Sequence, residues 1–238
     1  MIYSWVDECL LQHSLQTLFE ARRRYQREIR VARRYAELVS GVKCNLGEKL
    51  LYLAIALHDI GKGISEYQKQ FTSRVKSTPS FKCHEAYSTC MYIDLVYSFK
   101  LKSLADKILA LGGAIAIALH HHAMNRMEEC SSYKCLIRAV RRDKVGVERE
   151  LYDIVFKVLS EIGINVRGDL GIKRGYRVIN VAEVYSDIIG SPSRTNVFKG
   201  FGIGEYRLEA YNVCECILAP LVRSDRWAAR SRKSYYGV

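Results

Sequence analysis

The sequence predicts an all-α fold: a helical bundle with a small β-hairpin or irregular insertion near residues 163–204. Three observations carry this reading. Only three prolines, Pro79, Pro192 and Pro220, interrupt 238 residues. Apolar residues recur at helical spacing over long segments. No internal repeat or low-complexity tract breaks the pattern. The length suits one domain, or one domain with a sizeable insertion, so a single domain over 1–238 is expected. Apolar residues make up 49% of the chain, which argues against disorder. A chain of this size buries a core without needing disulfides or a metal to fold.

The elements follow in order. A first helix is expected over 4–39. Val6, Leu10, His13 and Thr17 share one of its faces, close to Leu11, Leu15 and Leu18. A basic stretch follows, with Arg22, Arg23, Arg24, Arg27, Arg30, Arg33 and Arg34. These arginines go all round the helix, so most should be solvated or bound to something anionic. A second helix over 46–60 stops at Gly61 and Gly63. Pro79 separates it from a helix over 84–99. Next comes a helix over 101–111 and, after Gly112 and Gly113, a short apolar helix ending near His122. Further helices are expected over 132–142 and 147–162. Between 163 and 204 glycines recur, and a β-favouring run over 176–181 lies between turn signals. A last helix starts near Glu205, carries Val213, Cys216, Ile217, Leu221, Ser224, Asp225 and Ala228, and should be kinked by Pro220.

Charge narrows the function. Lysine and arginine number 37 against 25 acidic residues, a net charge of +12, with an isoelectric point near 9.3. Such an excess implies a polyanionic partner: nucleic acid, nucleotides or an anionic membrane surface. No run approaches the ~18 apolar residues of a membrane span. The N-terminal MIYSWVDECLL has no basic region and no small-residue cleavage site, so an intracellular, cytoplasmic protein is expected. Eight cysteines (Cys9, Cys44, Cys83, Cys90, Cys130, Cys135, Cys214, Cys216) form no CxxC pair, so a zinc ribbon is poorly supported. They read as buried small hydrophobes, with a disulfide or two as the alternative.

The histidines carry the chemistry. His58 and Asp59 are adjacent at the end of an apolar helix, in LYLAIALHDIGK. An imidazole and a carboxylate there can share one cation, and a carboxylate can bridge two. A bare His-Asp pair is common and is usually just a polar helix end. Here Leu50, Leu51, Leu53, Ala54, Ile55 and Leu57 precede it, so the polar end must find partners inside the protein. Lys62 lies one turn further on, placed either to touch a phosphate or to interact with the helix dipole. His84 begins a helix in FKCHEAYST, where an exposed N-terminal position is the plain alternative. His120, His121 and His122 close the helix AIAIALHHH. Consecutive helical residues point ~100° apart, so at most an adjacent pair converges. His13 falls on an inward face, as does Asp225 in LVRSDRWAAR, where a salt bridge with Arg223 or Arg226 competes. Together these residues favour a shared metal centre.

In this order (His13, His58 with Asp59, Lys62, His84, His120 with His121, Asp225) the sequence resembles the HD-domain metallohydrolase superfamily. Within it, the chain is similar to the HD nuclease of type I CRISPR systems, which in some archaeal systems is a stand-alone subunit. ALHDIGKGISEYQKQF resembles the family's HD-x-GK-x-x-x-x-FQ segment, HEAYST its H-x-x-x-S helix, ALHHHAM its paired histidines and SDRWAA its terminal aspartate. Two departures stand out: Gln68 and Gln70 straddle the usual Phe-Gln position, with Phe71 after them, and Ala123 stands where glycine is common. The resemblance implies an HD-domain bundle holding one or two divalent ions (Mn²⁺, Mg²⁺, Ni²⁺ or Co²⁺). The first would be held by His13, His58, Asp59 and Asp225, and the second by Asp59, His84, His120 and His121. His121 with His122 is the alternative pair.

On this reading the activity is hydrolysis of DNA phosphodiester bonds, single strands ahead of duplex or RNA, in antiviral defence. Asp59 and Lys62 would be catalytic, Asp59 bridging the ions and Lys62 neutralising charge that develops on a phosphate oxygen. Imidazole-rich sites favour transition metals over Mg²⁺. The chain has no GxxxxGK(S/T) loop, so unwinding would come from a separate helicase beside interference-complex subunits. Arg138, Arg141, Arg142, Lys144, Arg226, Arg230, Arg232 and Lys233 could follow a phosphate backbone. Tyr133, Tyr176, Tyr235 and Tyr236 lie near basic residues and could stack on bases. The competing functions are an HD nucleotide phosphohydrolase and a non-catalytic basic scaffold for nucleic acid.

Overall fold

The computed structural model describes residues 1–5, 8–71, 79–121, 133–166, 168–189 and 196–235, with side chains to 230. The chain opens on β1 (Tyr3–Trp5), paired antiparallel with β2 (Glu8–Cys9). Helices α1 (Leu10–Arg24) and α2 (Gln26–Ser40) follow. The single helix expected over 4–39 is therefore a β-ribbon and two helices. Tyr3 and Trp5 are β-favouring aromatics. The ribbon is fixed from outside by Gln68, whose side chain accepts from Tyr3 N at 2.9 Å and donates to Tyr3 O at 2.9 Å. Cys9 then caps α1, its Sγ accepting from Gln12 N at 3.4 Å. The break at Tyr25 leaves the helical course with ψ of 23°. α2 ends on Gly41 at φ 67°, a left-handed cap that glycine adopts without strain.

The arginines of this stretch are less free than the sequence implies. Arg22 pairs with Glu161 at 3.2 Å, Arg24 with Glu20 at 2.6 Å and Arg33 with Glu48 at 3.4 Å. Arg23, Arg27, Arg30 and Arg34 remain exposed.

α3 (Glu48–Ala56) ends before His58 and Asp59, which occupy a turn leading into a 3₁₀ segment at Ile60–Gly63. α4 (Ser65–Gln68) is a single turn. α5 (His84–Ser98) and α6 (Leu104–Leu119) form the interior. Beyond Asp106 and Lys107 in its first turn, α6 is apolar all round, as a helix buried on every side must be. It packs against α2, α3 and α5 and against two helices of the second half, α9 (Val178–Ile189) and α11 (Arg207–Tyr235). The expected break at Gly112 and Gly113 is absent: one helix runs through both. The glycines serve close packing, since a Cβ on Gly112 would collide with Val213 of α11, and one on Gly113 would meet Ala54 and Tyr92 at 2.8 Å.

The second half comprises α7 (Tyr133–Val140), β3 (Lys144–Gly146), α8 (Glu150–Ile162), β4 (Gly175–Arg177), α9 (Val178–Ile189), α10 (Asn196–Gly200) and α11 (Arg207–Tyr235). The small β element expected near 163–204 is present as β4, and its antiparallel partner β3 lies outside that segment. The β-favouring run ends early because Val178 already begins α9. Tyr176 is buried and donates to Asp94 at 2.9 Å, so it is not a surface for stacking bases. Tyr236 and Cys130 lie outside the described residues, and the side chains of Arg232, Lys233 and Tyr235 are likewise not described. Cys83 is disulfide-bonded, while Cys9, Cys44, Cys90, Cys135, Cys214 and Cys216 are free. No helix among the described residues is long and apolar enough to cross a membrane.

The turn bearing His58 and Asp59 is pressed onto the start of α5. Gly61 N donates to Ser88 Oγ at 2.8 Å, and a Cβ at Gly61 would fall well inside 3.0 Å of the His84 carbonyl oxygen and Ser88 N. Gly61→Ala should therefore cost about 2–3 kcal/mol through overpacking. Denaturant unfolding checks this. A loss under about 0.5 kcal/mol would mean the turn can back away from α5.

Candidate metal centre

Five elements deliver the polar groups to one point. α1 brings His13, the turn after α3 brings His58 and Asp59, and α5 brings His84. The end of α6 brings His120 and His121, and α11 brings Asp225. Each lies on the face of its segment that turns toward the core, so the polar groups meet inside the protein. All but His121 and Asp225 are fully buried, and those two are partly buried.

The donors form two groups that share Asp59. One comprises His13, His58, Asp59 and Asp225, and the other Asp59, His84, His120 and His121. Within each group one donor atom per residue lies within 4.8 Å of the rest. The structure thus brings together all seven residues singled out in the sequence as metal ligands. His122 lies outside the described residues. Asp225 takes neither Arg223 nor Arg226 but faces His13 Nε2 at 3.3 Å and His58 Nε2 at 3.7 Å.

Ring orientations are set by hydrogen bonds on the far nitrogen. His58 Nδ1 donates to Ile55 O at 2.9 Å, His84 Nδ1 to Phe81 O at 2.7 Å and His120 Nδ1 to Ile117 O at 2.6 Å. Each carbonyl acceptor fixes the proton on Nδ1 and leaves Nε2 as the donor atom. His13 differs, since its Nδ1 faces the buried carboxylate of Glu8 at 3.3 Å. Glu8 is itself bonded by Ser4 Oγ.

The electrostatics suit a cation. Burial alone would lower the pKa of His13, but the carboxylates of Asp225, Asp59 and Glu8 overcome this and hold it well above its usual value. Burial would raise the pKa of Asp59, yet Lys62, His58 and His84 keep it well below the carboxylate range. Asp225 is likewise held low, against burial, by His13 and His58. Burial and the neighbouring His58 push His120 down to about 3, and burial with His84 and His120 lowers His121. His120 and His121 are thus kept neutral with lone pairs to offer, Asp59 and Asp225 stay ionised, and the charge drawn onto His13 marks where these carboxylates favour a cation. Nε2 of His58 and of His120 are buried and make no hydrogen bond. Such orphaned acceptors are costly unless something fills the space between them. The residues therefore fit a metal.

Lys62 donates to Asp59 Oδ2 at 2.6 Å. Its backbone carbonyl accepts from Gln68 Nε2 at 2.7 Å, the same amide that clasps β1. A cleft of about 510 Å³ opens onto the centre and is lined by Asp59, Lys62, His84, His121, Asp225 and Arg226, among others.

Sequence reasoning missed Glu8, placing it at the start of a continuous helix. The available signal was His13 itself: a buried imidazole needs a partner for each nitrogen, and an acidic residue stood five positions earlier. If a metal binds here, Glu8→Gln should weaken its affinity by about 10- to 100-fold, as loss of a ligand-orienting carboxylate does. Calorimetric titration with Mn²⁺ would show it, and unchanged affinity would reduce Glu8 to a packing role.

Helices carrying these residues around a buried His/Asp cluster build the HD-domain helical fold. No family model and no curated protein matches the chain. Among solved structures, the CRISPR-associated Cas3 HD domain protein of Methanocaldococcus jannaschii superposes with a TM-score of 0.57 at 18% identity. The match covers 93% of this chain and 99% of that one.

Proposed function

We propose that this protein is a metal-dependent nuclease that hydrolyses phosphodiester bonds of DNA, single strands ahead of duplex, and that it acts in CRISPR antiviral defence beside a separate helicase and interference-complex subunits. The observation that carries the reading is Asp59, one buried carboxylate common to two donor groups at the floor of a cleft. Divalent ions bound at such a site would supply Lewis-acid activation of water and charge stabilisation for phosphodiester hydrolysis. The chain's own part is to hold His13, His58, Asp59 and Asp225 for one ion and Asp59, His84, His120 and His121 for the other. Lys62 sits beside Asp59 with its side chain only 13% exposed. A cation so sheltered can neutralise charge developing on a phosphate oxygen at the cleft floor. The net charge of +12 favours a polymeric anion over a mononucleotide. The defence role rests on the likeness in fold to the archaeal protein.

The test is incubation of the pure chain with single-stranded DNA, duplex DNA, RNA and deoxynucleoside triphosphates under Mn²⁺, Co²⁺, Ni²⁺ or Mg²⁺. Cleavage of single-stranded DNA is expected, faster with the transition metals than with Mg²⁺, and absent with a chelator. Hydrolysis of mononucleotides alone would make it a phosphohydrolase. Binding without turnover would make it a scaffold, and strict dependence on Mg²⁺ would count against an imidazole-rich centre.

A further inference from the structure

One wall of the cleft has no part in holding metal. Trp5 and Phe81 both line it, with ring centroids 6.5 Å apart. Phe81 is buried, and the Lys62 ammonium lies over its ring at 5.2 Å. Trp5 is 40% exposed. The indole therefore stands one aromatic ring away from the lysine that reaches Asp59.

Anchoring of the ribbon does not account for this exposure. Tyr3 already stacks on Phe71 at 4.8 Å and is clasped by Gln68. Trp5 on β1 pairs with Glu8 on β2, so the ribbon that presents the indole also presents the carboxylate facing His13. The aromatic is thus tied to the same frame as the metal donors. The cleft around it also carries Lys62, Lys82 and Arg226. An exposed aromatic face among cations is the combination that grips unpaired bases and their phosphates. Trp227, the other exposed tryptophan, is already engaged by guanidinium groups, with Arg24 over its ring at 4.2 Å and Arg230 at 5.6 Å.

We propose that Trp5 is a stacking platform for an unpaired nucleobase of the strand whose phosphodiester lies at the Asp59 centre. This deepens the nuclease reading and rests on it for the reacting phosphate. Bases in a duplex have both faces covered by neighbours, so the platform rewards only single strands. It is a positioning group that acts on substrate binding, while the charge on Lys62 acts at the phosphate.

The test uses the full chain with Mn²⁺ and two oligodeoxynucleotides: one single-stranded, and one of the same length made of abasic sugars. Trp5→Ala should raise KM for the intact strand by about 5- to 100-fold, the scale of one lost base stack. It should leave kcat, and KM for the abasic strand, unchanged. Trp5→Phe should recover most of the loss. Equal losses on both strands, or no loss on either, would overturn the platform. A binding arm separates the two readings: in a Trp227→Phe background, quenching of Trp5 fluorescence by the intact strand, but not by the abasic one, is expected even with chelator present. Quenching without any turnover by the parent protein would sink the nuclease and leave the platform. Turnover without quenching would do the reverse.

Discussion

Replacing Asp59 with alanine should lower phosphodiester turnover by about 10³-fold or more, while the protein remains folded. Loss of one preorganised charge-stabilising group costs about 10²–10³, and Asp59 stands to lose more because both donor groups include it. Its Oδ1 faces His84 Nε2 at 2.7 Å, and its Oδ2 faces His13 Nε2 at 3.2 Å and the Lys62 ammonium at 2.6 Å. Without it, three imidazoles remain on one side and two with Asp225 on the other, with no carboxylate common to both. Metal content should fall together with activity. Lys62→Ala is the matching control: it should retain metal and lose about 10²–10³ in kcat. Turnover by Asp59→Ala within tenfold of the parent would remove the shared carboxylate from the mechanism. Elemental analysis of each variant, beside its far-UV circular dichroism, separates loss of metal from loss of fold.

The largest effect on stability is expected far from the cleft. Asp106, in the first turn of α6, is 1% exposed and accepts from three backbone N–H groups. Asn45 N donates at 2.8 Å, Leu46 N to both oxygens at 3.2 Å and Gly47 N at 2.9 Å. This carboxylate gathers the loop before α3 onto α6, and so fixes the helix that leads into His58 and Asp59. Hydrogen bonds to a charged group contribute about 1.5–3 kcal/mol each, and losing the acceptor strands its donors. With part of that recovered by water, Asp106→Ala should cost about 3 kcal/mol or more. At about 2–4 °C per kcal/mol for a chain of this size, the melting midpoint should fall by roughly 6–12 °C. Asp106→Asn should recover only part, because an amide has one accepting oxygen. Metal affinity of the folded fraction should not change. A midpoint within about 2 °C of the parent would mean that solvent replaces the carboxylate.

The fold class and the site residues were legible for different physical reasons. His84 is placed at the start of α5 by its own sequence, where a Pro79-bounded loop gives way to apolar spacing. The positions of His58 and Asp59 follow from the apolar run before them, although they fall in a turn beyond α3 instead of on it. What misled was short-range preference set against long-range contact. The segment over 4–39 has helical spacing throughout, yet Gln68, more than sixty residues away, holds Tyr3 extended. Gly112 and Gly113 read as a break because glycine weakens isolated helices. In α6 the same glycines let α3, α5 and α11 approach, and burial outweighs propensity. Glu8 and Trp5 went unnoticed because their roles exist only once the ribbon brings them to the cleft.

The three carbonyl acceptors behind His58, His84 and His120 have a further consequence. Main-chain oxygens at Ile55, Phe81 and Ile117 are supplied by any amino acid, so most substitutions at those positions leave the imidazoles aimed as before. The centre thereby presents a small mutational target: beyond the ligands themselves, the side chains that set its aim among the described residues are Glu8 behind His13, held in turn by Ser4, and Lys62 on Asp59. Random mutagenesis screened for metal retention should accordingly recover lesions at the ligands and at Glu8, and tolerate isosteric changes at Ile55 and Ile117.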